Sequence, residues 1–112
     1  MLIYKEKLPT DTIDIRCVEL PYKSAEEARQ AVLHVGLQYG EPCMWYDAIT
    51  HDFPTNKYLI LAVGTGHYWG KYHDEETLTN DMYIGTVLLE GGSLVLHYFL
   101  VASDNPNINL LL

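Results

Sequence analysis

The residues best suited to chemistry sit in one short loop. Val63-Gly64-Thr65-Gly66-His67 follows an apolar run. Glycines there let backbone N–H groups face outward and allow a ligand to approach closely, and the Thr65 hydroxyl adds a donor for a phosphate. The loop is not a P-loop, because no Gly-Lys-Ser/Thr follows, and the glycine spacing of a dinucleotide fingerprint is missing. A tight turn with a G1-type bulge accounts for the same glycines without any ligand.

The five histidines invite a catalytic or metal reading. His67 and His73 stand near Asp74, Glu75 and Glu76, which could form an acid/base or metal cluster, or a small hydrolase site. A metal needs three or four ligands fixed on rigid elements. Tyr68–Asp81 is polar, aromatic and acidic, and reads as an excursion loop, so no metal is assigned. His34 and His97 fall on polar faces of strands, where the expectation is a structural hydrogen bond to a buried carbonyl. No serine has a nucleophile-elbow context. Cys17 and Cys43 lie in apolar strand-like segments without a Cys-x-x-Cys spacing, and read as reduced, buried thiols. No catalytic residue and no cofactor follow from the sequence.

Nine tyrosines and two tryptophans are the more distinctive feature. Rings with polar tips give large contact area at small entropy cost, and they stack on nucleobases. About half serve a small β fold as core and surface. The glycine loop and the aromatic concentration together give an expected ligand pocket of Thr65, His67, Trp69, Tyr83 and Thr86, flanked by Trp45, Gly64 and Gly66.

Fifteen acids against seven Lys and Arg give a formal net charge of −8. Nucleic-acid binding requires a cationic footprint that displaces counterions, so free DNA or RNA is excluded as a partner. Negative charge keeps a small protein soluble, and it also suits docking onto a basic protein. The opening Met1-Leu2-Ile3-Tyr4-Lys5-Glu6-Lys7 lacks the long apolar region of a secretory signal, and no apolar run nears the ~20 residues of a membrane span. The expected location is the cytoplasm.

The elements that must position these residues are mostly strands. Leu2–Leu8 is a first strand. Thr12–Leu20 places Ile13, Ile15 and Cys17 on one face, then Val18 and Leu20, which reads as a bulge or bend in an edge strand. Ser24 and Glu27 form a capping-box pattern for a short helix over Ser24–Gln30. Val32–Tyr39 alternates, with Leu33, Val35, Leu37 and Tyr39 on the face expected to be buried. Gly40-Glu41-Pro42 is a turn, Cys43–Ile49 the returning strand, and His51–Lys57 a loop. Tyr58–Val63 is a buried strand. Met82–Glu90 and Ser93–Val101 form a hairpin about Gly91-Gly92, a primed-turn signal. Seven strands and one short helix predict a mainly β (α+β) fold, an antiparallel small sandwich or partly open barrel. Residues 1–101 form the domain and 102–112 a tail, whose apolar Asn109-Leu110-Leu111-Leu112 favours a homo-oligomer.

Gly40-Glu41-Pro42-Cys43-Met44-Trp45, Val63-Gly64-Thr65-Gly66-His67, Tyr83-Ile84-Gly85-Thr86-Val87 and His97-Tyr98-Phe99 occur in this order. With Ile3-Tyr4-Lys5 and Val18-Glu19-Leu20-Pro21, they resemble a family of short proteins found mainly in phages and bacterial genomes. The resemblance covers most of residues 1–100 and implies a compact β domain of phage origin, with no settled biochemical role to carry over. The Ser24–Gln30 segment, the long Trp69–Asp81 loop and the leucine tail depart from the family pattern. The expected function is a phage-type accessory protein that sequesters a small, nucleotide-derived ligand between subunits in the host cytoplasm. The alternative is an acidic inhibitor that docks on a basic host protein such as a nuclease.

Overall fold

The computed structural model describes residues 1–12, 14–48, 54–66 and 78–105. Among them are seven strands and one α-helix: β1 Ile3–Lys7, β2 Asp14–Leu20, α1 Ala25–Ala31, β3 Val32–Gln38, β4 Glu41–Asp47, β5 Asn56–Gly64, β6 Tyr83–Leu89 and β7 Leu94–Ala102. They build two antiparallel sheets, in the order β1-β4-β3 and β2-β5-β7-β6. The mainly β fold expected from the patterning is the fold observed.

Period-two alternation decides which side chains enter the core. Met44 and Tyr46 from one sheet meet Val18, Leu20, Tyr58, Ile60, Ala62, Val87, Leu96, Tyr98 and Leu100 from the other. Ala28 of α1 joins them, and Ser24 caps that helix by accepting a hydrogen bond from the Glu27 N–H at 3.2 Å. Intervening residues of the four-stranded sheet bury a second, smaller cluster on its opposite face. Leu59, Leu61 and Val101 form it, with Ile15, Val63, Leu78 and Met82 packed against it.

That second cluster explains a correction in β2. Its pairing with β5 is unbroken from Asp14↔Ala62 to Leu20↔Asn56, so there is no bulge over those residues. The apparent phase shift arises because Ile15 packs on the outer cluster while Val18 and Leu20 face the core. Cys17 shares the outer parity on this edge strand and is exposed, against expectation, whereas Cys43 is buried; both thiols are free.

The loops and the edge strand β3 correct four further expectations. The β3–β4 turn is Tyr39-Gly40, both at positive φ (52° and 79°), and Glu41 and Pro42 already belong to β4. β3 is an edge strand with a register shift between Val32 and His34. Val32 and Val35 pack on the core, but Leu33 and Leu37 are each 46% exposed and Tyr39 is 98% exposed. The β6–β7 connection is the four-residue Glu90–Ser93, in which Glu90, Gly91 and Gly92 all have positive φ. β5 starts at Asn56, inside the expected loop.

The two sheets approach each other at their edges. A Cβ added to Gly85 in β6 would stand 2.5 Å from the Val35 Cβ in β3. At the other side, Arg16 of β2 reaches Glu6 of β1 at 3.4 Å. The result is a flattened sandwich that does not close into a barrel.

Candidate functional site

The outer face of the four-stranded sheet carries a chain of four polar side chains. His97 of β7 sits opposite Val63 of β5 and Thr86 of β6. Its Nδ1 lies 2.9 Å from Thr86 Oγ1, and its Nε2 lies 2.8 Å from Thr65 Oγ1. Thr86 Oγ1 is in turn 2.5 Å from the Tyr83 hydroxyl. The Tyr83 ring meets Phe99 edge-on, with centroids 5.8 Å apart and an interplanar angle of 66°.

Local structure explains each placement. Tyr83 and Thr86 are three residues apart, so a regular strand would point them to opposite faces. The register shifts between Tyr83 and Gly85, which pair with Phe99 and Tyr98 respectively. This bulge restores Tyr83 to the face that holds Thr86. Thr65 stands on the exposed turn just past β5, where its N–H donates to the Val95 carbonyl at 3.2 Å. Gly64 is buried and its N–H donates to Thr12 Oγ1 at 2.9 Å, while Gly66 takes φ 85°. The glycine loop is thus tied to β7 through the Thr65 N–H and to Thr12 through the Gly64 N–H.

A neutral imidazole donates from one ring nitrogen and accepts at the other. Hydroxyls do both, so either His97 tautomer satisfies the chain. Thr65 and Tyr83 are exposed, Thr86 and His97 half-buried. Among the described residues, no lysine or arginine is hydrogen-bonded to any of the four. The face therefore offers hydroxyl donors and acceptors, an imidazole and two rings, with no fixed cation among its hydrogen-bond partners.

Of the residues singled out in the sequence, Gly64, Thr65, Gly66, Tyr83 and Thr86 come together here. Trp45 does not. It lies on the outer face of the three-stranded sheet, across the sandwich, opposite Lys5 and His34, and its ring is tilted 34° to His34 at 5.6 Å. Alternation dictates this, since Met44 and Tyr46 on either side of it fill the core. His67 and Trp69 lie outside the described residues, as do His73 and the Asp74-Glu75-Glu76 run. His97 is the residue the sequence reading undervalued: it bonds two threonine hydroxyls rather than a buried carbonyl. The signal that finds it is hairpin register, which sets it opposite Thr86.

Two open clefts occur elsewhere. One, about 360 Å³, is lined by Lys7, Thr10, Asp14, Arg16, Glu41 and neighbouring apolar residues. The other, about 430 Å³, is lined by Glu26, Arg29, Gln30 and Asp81. Each mixes both charges, and in the first the cations already pair, Lys7 with Glu41 at 3.7 Å and Arg16 with Glu6 at 3.4 Å. The His97 face is the stronger candidate, because its polar groups converge and three of the four sequence motifs meet there. Among the described residues no group of three metal-ligating side chains occurs, and no helix is long and apolar enough to cross a membrane.

Over residues 1–109 the chain matches the family model described as Domain of unknown function (DUF7352), and it belongs to that family. No curated protein and no solved structure matches it.

Proposed function

We propose that this member of the DUF7352 family binds and sequesters a small ligand on the outer face of its four-stranded sheet. The observation that carries this is the Tyr83–Thr86–His97–Thr65 chain of hydrogen bonds, assembled from three separate segments. Two of its four members, Thr65 and Tyr83, are exposed, where water satisfies hydroxyls equally well and the fold needs no such bonds.

The chemistry of the face narrows the ligand. With hydroxyls, an imidazole and rings, it suits the base and sugar of a nucleotide-derived signal, held by stacking and neutral hydrogen bonds. Phosphates stay towards solvent, since among the described residues no Lys or Arg hydrogen-bonds to the network. Affinity then depends weakly on ionic strength. The motif resemblance to phage proteins supports a counter-defence accessory role in the host cytoplasm. No structural observation favours the inhibitor alternative, and the Asp74-Glu75-Glu76 run that could meet a basic partner lies outside the described residues.

A native mass spectrum of the protein purified from its expression host tests sequestration. A discrete species carrying a small extra mass is expected, and Thr86→Val is expected to lose it. An extra mass kept in full by Thr86→Val, or a bare chain that also shows no melting shift with any nucleotide or nucleoside, contradicts the reading.

A further inference from the structure

We propose that Thr65 is also an acyl acceptor, its hydroxyl activated by His97. Thr65 Oγ1, His97 Nε2, His97 Nδ1 and Thr86 Oγ1 follow one another at hydrogen-bond distances of 2.8 and 2.9 Å across the imidazole, and Tyr83 extends the chain at 2.5 Å. Nucleophile, base and orienting group thus stand in the order that activates a hydroxyl. In the tautomer that carries its proton on Nδ1, the ring donates to Thr86 Oγ1 and its Nε2 lone pair accepts from Thr65. Thr65 is exposed, and among the described residues nothing lies within 4 Å of a Cβ built on the adjacent Gly66, so an ester can approach the hydroxyl from that side.

The step balances without a further reactant. Thr65 Oγ1 bonds to the carbonyl carbon of an activated ester as its proton passes to His97 Nε2. The bond from that carbon to the leaving oxygen breaks, and the departing alcohol takes the proton from Nε2. The products are acyl-threonine and the alcohol; water regenerates Thr65 by the same proton route and releases the acid. Thr86 and Tyr83 are uncharged, so they orient the imidazole without stabilising its cation as a carboxylate does. The geometry therefore describes a slow acceptor and not a fast hydrolase. This inference concerns the hydroxyl itself and stands or falls independently of the ligand proposed above.

The test is to incubate the full chain with p-nitrophenyl acetate and map acetyl groups by peptide mass spectrometry. Thr65 is expected to carry an acetyl group in the folded protein and to lose reactivity in urea. His97→Gln keeps a hydrogen-bonding amide but has no base, so labelling of Thr65 is expected to slow about a hundredfold. Lysine acetylation in the same digest is expected to stay unchanged, showing that the reagent was active. An unlabelled Thr65 in the folded wild type overturns the proposal. So does Thr65 labelling that persists in urea, or at the wild-type rate in a folded His97→Gln.

Discussion

At the scale of single residues, Gly85 shows what the two-sheet approach demands. Any side chain there would enter Val35, whose Cβ is 2.5 Å from the position a Gly85 Cβ would take. Gly85→Ala is expected to destabilise the fold by about 1–3 kcal/mol, as overpacking does. Val35→Ala in the same chain should recover part of that loss, a coupling that urea denaturation of the four variants would measure. Additive effects would mean that the sheets are not in contact there. The glycine was visible in the sequence, but its partner was not, because Val35 lies fifty residues away on the other sheet. His97 is the converse case. Its partners Thr65 and Thr86 were both flagged from sequence, yet the imidazole joining them read as one more polar-face residue. Register, not residue type, brought them together.

At the scale of elements, all seven strands and the helix are legible, from alternation, from a continuous apolar run in β5 or from a capping pattern. What was not legible was which face each strand buries. β2 and β5 contribute apolar residues to both faces of their sheet, so alternation alone could not distinguish an outer cluster from a bulge. The bulge that does matter, between Tyr83 and Gly85, carries no signal beyond one glycine. The β6–β7 turn was read as two residues and spans four, yet both loops set Thr86 opposite His97, so the key pairing survives the error. The β3–β4 turn carries a testable strain. Tyr39 occupies the left-handed region at φ 52°, where a two-residue primed turn favours asparagine, and its ring is 98% exposed. Tyr39→Asn is expected to stabilise the protein by up to about 1 kcal/mol, read as a higher urea midpoint. A lower midpoint would show that the exposed ring makes a contact worth more than the strain.

At the scale of the whole molecule, the core is rich in phenols, and this sets a pH limit. Burial raises the pKa of Tyr22 to about 12, helped by the negative charge of Asp47 and by Tyr46. Tyr46, Tyr58 and Tyr98 are also raised, chiefly by burial. An unfolded chain ionises its phenols near pH 10, before the folded protein does. The unfolded state therefore releases protons first, so stability is fully present below about pH 10 and falls as pH climbs towards the folded values. Part of the phenolate absorbance should appear only together with loss of near-ultraviolet dichroism; complete titration in a folded protein would contradict this. The same whole-molecule geometry supplies an internal control for function, since His34 and His97 lie on opposite outer faces of the sandwich. The most direct test is to follow the imidazole NMR signals of both while nucleotides and nucleosides are titrated. The account predicts that a ligand shifts the His97 signals saturably and leaves those of His34 in place. A ligand that moves His34 while His97 stays still, or a panel that moves neither, would contradict it.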